Sequence, residues 1–216
     1  MKRLQFLKYL LFILSFTYCF YLVISCNESE LPKNTSLPTI EMTTELGEII
    51  IEIDTINAPI TANNFLKYVD EKRFSNASFY RVVRMDNQPD NLIKIEVIQG
   101  GLRDDESPLS LPPIEHESTD KTGIVHKDGV ISMARVEPGS ASSEFFICIG
   151  DQPELDFGGQ RNPDGQGFAA FGKVVEGMEV VRNIQSQPDE KQMLIKPIRI
   201  LDVKRLVLNN YYHKKN

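Results

Sequence analysis

The sequence contains no tryptophan, only three cysteines and only three histidines among its 216 residues. Acidic residues outnumber basic ones by 30 to 24, and the formal net charge is -6. This balance disfavours nucleic-acid binding, which needs a basic surface to neutralise phosphates. Hydrophobic residues make up 41% of the chain, an ordinary share for a globular protein. The composition therefore excludes a chain that is predominantly disordered, collagen-like or built of several membrane spans.

Common catalytic signatures are also missing. The chain has no Walker phosphate loop, no GxGxxG turn and no GxSxG elbow. His116, His126 and His213 are scattered without the spacing of metal ligands, so each is expected to be a surface or strand-end residue. The adjacent carboxylates Asp104 and Asp105 fall in a segment typical of a solvated loop. The sequence therefore predicts no metal site and no cofactor.

Residues 1–25 differ from the rest of the chain. They contain three basic residues and no acidic one, and an uncharged apolar run occupies residues 9–25. The basic residues are Lys2, Arg3 and Lys8. This pattern is typical of an export signal peptide, and the run is shorter than the roughly 20 apolar residues that a spanning helix prefers.

Residues 23–26 (VISC) resemble the bacterial lipobox, in which a signal peptidase cuts before the cysteine and the cysteine sulfur is lipidated. The resemblance implies a lipoprotein anchored through Cys26 to a membrane of the cell envelope, on its periplasmic or extracellular side. The alternative is an uncleaved anchor helix from about Leu4 to Ile24, with Cys26 incidental.

Cleavage would leave Cys148 as the only unmodified thiol, because Cys19 departs with the signal and Cys26 carries lipid. We therefore expect no intramolecular disulfide, even if the protein is exported to a compartment that favours disulfides. Cys148 lies in the apolar run 145–149, so we expect it to be a buried small hydrophobic residue and not a nucleophile.

The remaining chain divides into three segments. Residues 26–38 are polar with two prolines, which is typical of a flexible tether between the lipid and a domain. Residues 39–208 are predicted to form one domain. Residues 209–216 form a polar, basic tail.

The pattern of residues 39–208 favours short strands. Alternating apolar residues over 39–54 predict a hairpin that turns at Gly47. An amphipathic helix is predicted after Pro59, with Thr61 as its N-cap, and a second helix is predicted over residues 178–185. Further strands are predicted at 77–83, 94–99, 129–133, 144–149, 169–174 and 198–208. Many short strands with two helices favour a mainly β fold, a closed barrel capped by the helices.

Several segments of this domain, taken together and in order, resemble the cyclophilin family. They are 79–83 (FYRVV), 97–101 (VIQGG), 129–134 (GVISMA), 139–147 (GSASSEFFI), 155–156 (LD) and 171–174 (FGKV). The resemblance implies a closed eight-stranded antiparallel barrel with a helix at each end. It also implies peptidyl-prolyl cis/trans isomerase (rotamase) activity on proline-containing polypeptide segments, and a monomer as the family's default state.

The chemistry of that reaction suits an arginine. Rotation about an X-Pro bond crosses a barrier of about 18–20 kcal/mol because amide resonance resists twisting. In the twisted state the proline nitrogen regains its lone pair and can accept a hydrogen bond from a guanidinium, which stays charged at all relevant pH values. Arg81, in the FYRVV segment, is the candidate. The alternative is an ordinary strand arginine in a surface ion pair.

The resemblance, carried over residue by residue, implies roles for other positions. Gln99 would steady Arg81 and hydrogen-bond the substrate backbone, and Phe146 would form the floor of an apolar slot for the proline ring. Arg81, Gln99 and Phe146 are therefore the predicted catalytic residues. The predicted substrate-binding residues are Val97, Ala134, Arg135, Glu144, Leu155 and Phe168. For the apolar members, the alternative is ordinary barrel core.

Some positions depart from the family's pattern. The stretch between Arg81 and Gln99 is longer than in compact members, and Glu96 stands where a pocket phenylalanine is usual. Leu92 or Ile93 is a candidate for the missing apolar cover. Glu144 stands where glutamine is common.

Three functions follow from these observations. The first is an isomerase in the cell envelope that assists the folding of exported proteins, which the pairing of Arg81 with Gln99 favours. The second is a catalytically weak cyclophilin-like module that binds proline-containing segments, which Glu96 and the inserted stretch favour. The third is a purely structural envelope lipoprotein.

Overall fold

The computed structural model describes residues 36–104 and 107–206. The predicted signal peptide at 1–25, the lipidation site at Cys26, most of the predicted tether and the tail at 209–216 lie outside the described residues. Within the described part of the chain, no helix combines the length and apolar character needed to cross a bilayer.

A single antiparallel sheet dominates the described residues. Its strand order is β1-β2-β7-β5-β6-β4-β3-β9-β8, and β1 also pairs with β9. That last pairing closes eight strands into a barrel and leaves the two-residue β8 on the edge of β9. The strands are β1 (Thr39–Thr44), β2 (Gly47–Ile53), β3 (Ser78–Val83), β4 (Val97–Gly101), β5 (Val130–Met133), β6 (Phe145–Cys148), β7 (Ala169–Glu176), β8 (Asp189–Glu190) and β9 (Met193–Arg205). The predicted mainly β, closed eight-stranded antiparallel barrel is confirmed.

Three α-helices accompany the barrel in the described residues. They are α1 (Pro59–Asp70), α2 (Thr119–Thr122) and α3 (Met178–Gln185). α1 packs on β7 and β9, and α3 packs on β2, β3 and β4. These two helices are the ones that the sequence predicts. The single turn of α2 is additional, and a 3-10 turn, Pro153–Leu155, precedes β7.

The β1–β2 hairpin shows how alternation builds the interior. Every second side chain of these strands is fully buried inside the barrel, as the alternating pattern predicts, because successive side chains of a strand point to opposite faces. These are Ile40, Met42, Ile49, Ile51 and Ile53. Glu45 and Leu46 make the turn, immediately before Gly47.

Aromatic rings join α1 to the barrel interior. Phe65 of α1 lies 5.1 Å from Phe171 of β7 and meets Phe145 of β6 edge-on at 5.5 Å, measured between ring centroids. Edge-on and offset pairs of this kind are favourable beyond their buried area. These contacts hold α1 against β6, the strand that also carries Phe146, the residue after Phe145.

The beginning of α1 corrects one expectation. Ala58, and not Thr61, occupies the N-cap position, because Pro59 pre-sets the first helical turn. The carboxylate of Glu117 takes the place of a local cap: it accepts hydrogen bonds from the backbone N–H of Ile60 at 3.1 Å and of Thr61 at 2.7 Å. A negative charge at this end also favours the helix dipole.

We predict that Glu117→Gln destabilises the domain by about 1–2 kcal/mol, because it removes the negative charge at the helix N-terminus and one of the two oxygens that accept from helix N–H groups. Urea unfolding followed by circular dichroism measures this change. Glu115→Gln, at an exposed position two residues away, removes the same charge and is expected to leave the unfolding midpoint unchanged. Equal midpoints for the two variants would contradict this account of the cap.

Candidate functional site

A second apolar cluster lies on the outside of the barrel. On β4 and β6, Ile98 and Ile147 belong to the barrel interior, whereas Val97, Phe146 and Cys148 point to the opposite face. The outer cluster comprises Val83, Ile95, Val97, Phe146, Cys148 and Leu155, with Ala134 and Phe168 packed against it. Burial raises the pKa of the Cys148 thiol, so this residue is a buried hydrophobic residue, as expected.

Strand register places the three predicted catalytic residues side by side. Arg81 of β3 pairs with Gln99 of β4, and Gln99 pairs with Phe146 of β6. All three line one cavity of about 240 Å³. Of the predicted substrate-binding residues, Val97, Ala134, Arg135, Leu155 and Phe168 line the same cavity. The structure therefore brings these positions together, and their catalytic and binding roles stay predictions.

The Arg81 guanidinium is held by two amides. Its Nη1 donates to Oε1 of Gln99 at 2.8 Å, and its Nε and Nη2 donate to Oε1 of Gln192 at 3.1 and 2.6 Å. Burial lowers the pKa of Arg81, yet arginine titrates so far above neutrality that it stays charged. The amide oxygens orient the guanidinium without neutralising its charge. Arg81 is therefore held differently from the arginine in a surface ion pair that the alternative interpretation expects.

Gln192 is a site residue that the sequence analysis misses. It lies in the turn between β8 and β9 with a backbone φ of 72°, which non-glycine residues seldom adopt. Its N–H donates to Oδ2 of Asp189 at 2.9 Å, and its carbonyl accepts from the N–H of Val82 at 2.8 Å. These bonds fix the backbone in this conformation. The two-residue β8 is too short to give a periodic signal, so no sequence pattern places Gln192 beside Arg81.

Glu144 reaches the site indirectly. The hydroxyl of Tyr80 donates to the Glu144 carboxylate and accepts a hydrogen bond from Nε2 of Gln99 at 2.8 Å. Burial raises the pKa of Tyr80, and the charge of Glu144 raises it further, so the phenol stays protonated and can donate. Glu144 does not line the cavity. It orients Gln99 through Tyr80, and Gln99 in turn orients Arg81.

Two backbone features allow this chain of hydrogen bonds. The register between β3 and β4 shifts between Phe79 and Arg81, so the consecutive residues Tyr80 and Arg81 both reach Gln99. Gly101 has a φ of 145°, and a Cβ there would lie 2.5 Å from Oε1 of Glu144. The second glycine of the QGG segment therefore makes room for the carboxylate.

Phe146 is held on two sides. The ring of Phe168 meets it edge-on at 5.3 Å, and the ring of His126 stacks on it at 5.9 Å. His126 is only 1% exposed, so the expectation of a surface or strand-end histidine is wrong for this residue. Its Nδ1 lies 2.7 Å from Oδ1 of Asp156 and its Nε2 lies 3.0 Å from Oγ of Ser132. The Ser132 side chain is fully buried, so this trio supports the cavity floor and presents no nucleophile.

Arg135 fixes the loop between the 3-10 turn and β7. Its Nη1 and Nη2 donate to the two carboxylate oxygens of Asp164 at 2.7 and 2.9 Å, and its Nε donates to the carbonyl of Gly167 at 2.8 Å. The hydrogen bonds from the Arg135 guanidinium, together with one from the backbone N–H of Gln166, lower the pKa of Asp164 to about 2. The guanidinium also lies 5.1 Å from the centre of the Phe168 ring. The loop is thereby held against the cavity wall.

The inserted stretch supplies apolar cover through a residue that the sequence analysis did not select. Leu92 is 100% exposed and covers nothing, whereas Ile95 is buried and lines the cavity. The buried side chain of Gln88 shapes the stretch by donating to the carbonyls of Arg84 at 2.7 Å and Ile95 at 2.8 Å. Glu96 does not line the cavity, so the acidic residue at that position adds no carboxylate to the cavity wall.

Comparison with known proteins identifies the family. The sequence model of the cyclophilin type peptidyl-prolyl cis-trans isomerase family matches residues 39–205. A peptidyl-prolyl cis-trans isomerase of Streptomyces antibioticus is 34% identical over 152 residues, covering 69% of this chain and 84% of that protein. Peptidyl-prolyl cis-trans isomerase A of Dickeya dadantii is 36% identical over 151 residues, covering 69% and 72%.

A solved structure shares the fold. The crystal structure of a cyclophilin type isomerase from Cryptosporidium parvum superposes with a TM-score of 0.63 at 21% identity, covering 79% of this chain and 98% of that one. The barrel, the outer cavity and these relatives define one class, and the chain belongs to the cyclophilin type peptidyl-prolyl cis-trans isomerase family. The expected resemblance and the isomerase class of enzyme are confirmed, and the family's substrates are proline-containing peptides.

We predict that Gln192→Ala lowers kcat/KM for a proline peptide by about tenfold, because one to two charge-assisted hydrogen bonds that orient Arg81 are lost. Exchange spectroscopy by NMR measures the rate. Lys191→Ala is the matched control: Lys191 is exposed and also has a positive φ of 50°, but the hydrogen bonds of the Arg81 guanidinium go to Gln99 and Gln192. A similar loss of activity in both variants would contradict a role for the Gln192 amide.

Proposed function

We propose that the outer cavity binds an X-Pro segment with the proline ring against Phe146 and the prolyl nitrogen facing Arg81. The observation that carries this proposal is a guanidinium held by two neutral amide oxygens at the rim of an apolar floor. The cation is oriented, yet no carboxylate among the described residues forms an ion pair with it. It can therefore direct its charge to a substrate.

The proposed mechanism involves no proton transfer and no covalent intermediate. In the planar ground state the lone pair of the prolyl nitrogen is delocalised into the carbonyl and accepts hydrogen bonds poorly. As the bond twists, the lone pair localises on nitrogen, and Arg81 can donate to it. This hydrogen bond is stronger in the transition state than in either planar isomer, so it accelerates rotation in both directions. Apolar side chains hold the ring still while the other end of the bond turns.

We predict that Arg81→Ala lowers kcat/KM by about 10²–10³, the usual cost of removing one preorganised donor to a transition state. Arg81→Lys keeps the charge but lacks the planar fork that bonds both amides while a donor faces the substrate, so an intermediate rate is expected. The measurement is the cis/trans exchange of a short X-Pro peptide, followed by NMR. Arg182→Ala, which removes an exposed arginine on α3, is the control.

The same experiment tests the alternative functions. If the unmodified protein binds the peptide without accelerating exchange, the barrel is a recognition module. Absence of both binding and acceleration would favour a structural role. The buried Ile95 in the cavity wall and the two amides on Arg81 support turnover over these alternatives.

We further propose that the isomerase acts on exported proteins in the cell envelope, as a lipoprotein held to a membrane through Cys26. The basic and apolar segments of residues 1–25 and the VISC sequence support this proposal. The state of Cys148 is compatible with it. This thiol is fully buried and its pKa is raised by burial, so it resists oxidation in a compartment that favours disulfides.

We predict that Cys26→Ser prevents lipidation, because the lipid is attached to the cysteine sulfur. The variant is then expected to leave the membrane fraction or to keep its uncleaved signal peptide. Fractionation of cells and intact-mass spectrometry measure membrane association and the added lipid. Cys19→Ser, within the apolar run, is the matched control and should leave both unchanged. If the Cys26→Ser protein keeps the mass and the membrane fraction of the unmodified protein, the lipid anchor is wrong.

A further inference from the structure

A second guanidinium lines the cavity beside Arg81. Arg161 lies in the loop between the 3-10 turn and β7, and its side chain faces the cavity that contains Arg81 and Phe146. Its Nη1 donates to the carbonyl of Ile93 in the inserted stretch at 2.6 Å. This hydrogen bond joins the loop to the inserted stretch beside the cavity.

The charge of Arg161 is uncompensated at the cavity. Arg135, the third arginine of the lining, is paired with Asp164. No carboxylate among the described residues forms an ion pair with Arg81 or Arg161. The backbone carbonyl of Glu154 accepts a hydrogen bond from the N–H of Arg161 at 3.1 Å. The Glu154 carboxylate instead accepts from the N–H of Gln160 at 2.9 Å.

Two neighbouring cations disfavour each other. Arg81 and Arg161 line the same cavity, and the pKa of Arg161 is lowered by burial and further by the nearby charge of Arg81. An anion placed between them would relieve this repulsion. Arg161 also carries five N–H donors, of which one is used by Ile93, so donors are left for a carboxylate.

We propose that Arg161 forms a subsite for a side-chain carboxylate, so that the preferred substrates carry an acidic residue next to the proline. The inference deepens the proposed function and rests on it. The protein as a whole is acidic, with a formal net charge of -6, and would otherwise repel such segments. A local pair of cations reverses the sign of the potential where the peptide binds.

Four peptides in two matched pairs test the subsite. One pair has glutamate or glutamine directly before the proline, and the other has them directly after it. The full-length protein in detergent is titrated with each peptide at low salt, and affinity and exchange rate are both read by NMR. For at least one pair we expect about a fivefold preference for glutamate in affinity and in kcat/KM, falling as salt screens the charges.

Variants separate the subsite from general electrostatics. Arg161→Gln is expected to bring the glutamate-to-glutamine ratio to about one, and Arg161→Lys, which keeps the charge, to retain most of the preference. Arg182→Gln removes the same charge from an exposed site on α3 and should leave the ratio unchanged. If Arg161→Gln fails to fold, the salt dependence of the ratio in the unmodified protein and the Arg161→Lys ratio decide.

The outcomes distinguish this inference from the proposed function. The proposed subsite is wrong if the glutamate-to-glutamine ratio is one for both peptide pairs in the unmodified protein, or if the preference for glutamate survives Arg161→Gln. Either result leaves the isomerase activity unaffected. Binding without acceleration overturns the proposed mechanism, and the affinity ratio then still decides whether Arg161 reads a carboxylate.

Discussion

The pairing of β1 with β9 closes the barrel, and closure determines where a site can form. In a closed sheet every strand has one face toward a filled interior and one face outside, so apolar residues on the outer face need separate cover. The outer face of β4 and β6 carries Val97 and Phe146, which loops and the inserted stretch cover except where both residues line the cavity. The incompletely covered part is the cavity.

The chemistry of the cavity depends on hydrogen bonds that orient a charge without cancelling it. Gln99 and Gln192 accept the three hydrogen bonds of the Arg81 guanidinium through neutral oxygens. The carboxylate that stabilises this arrangement, Glu144, is kept one residue away behind Tyr80. A carboxylate in direct contact would have held the guanidinium equally well but would have reduced the positive charge available to a substrate.

Alternation predicted short strands and a mainly β barrel, because it encodes which face a strand residue occupies. The short motifs that resemble the cyclophilin family predicted that Arg81, Gln99 and Phe146 belong to one site. They failed where a partner comes from a distant segment. Gln192 lies 111 residues from Arg81, and the cap Glu117 lies 56 residues from Thr61. The burial of His126, like the exposure of Leu92, depends on how loops fold over the strands, and no periodic pattern records that.

The hydrogen bonds between the inserted stretch and the β8–β9 turn have a consequence for how this protein can evolve. Asn87 of the insert accepts from Nε2 of Gln192 through its carbonyl at 3.2 Å and donates its side-chain amide to Asp189 at 3.1 Å, while Arg84 pairs with Asp189. A deletion in the insert would remove these partners and leave the turn, with its strained backbone, without support. A change of length in either segment is therefore expected to require a compensating change in the other if the orientation of Arg81 is to be kept.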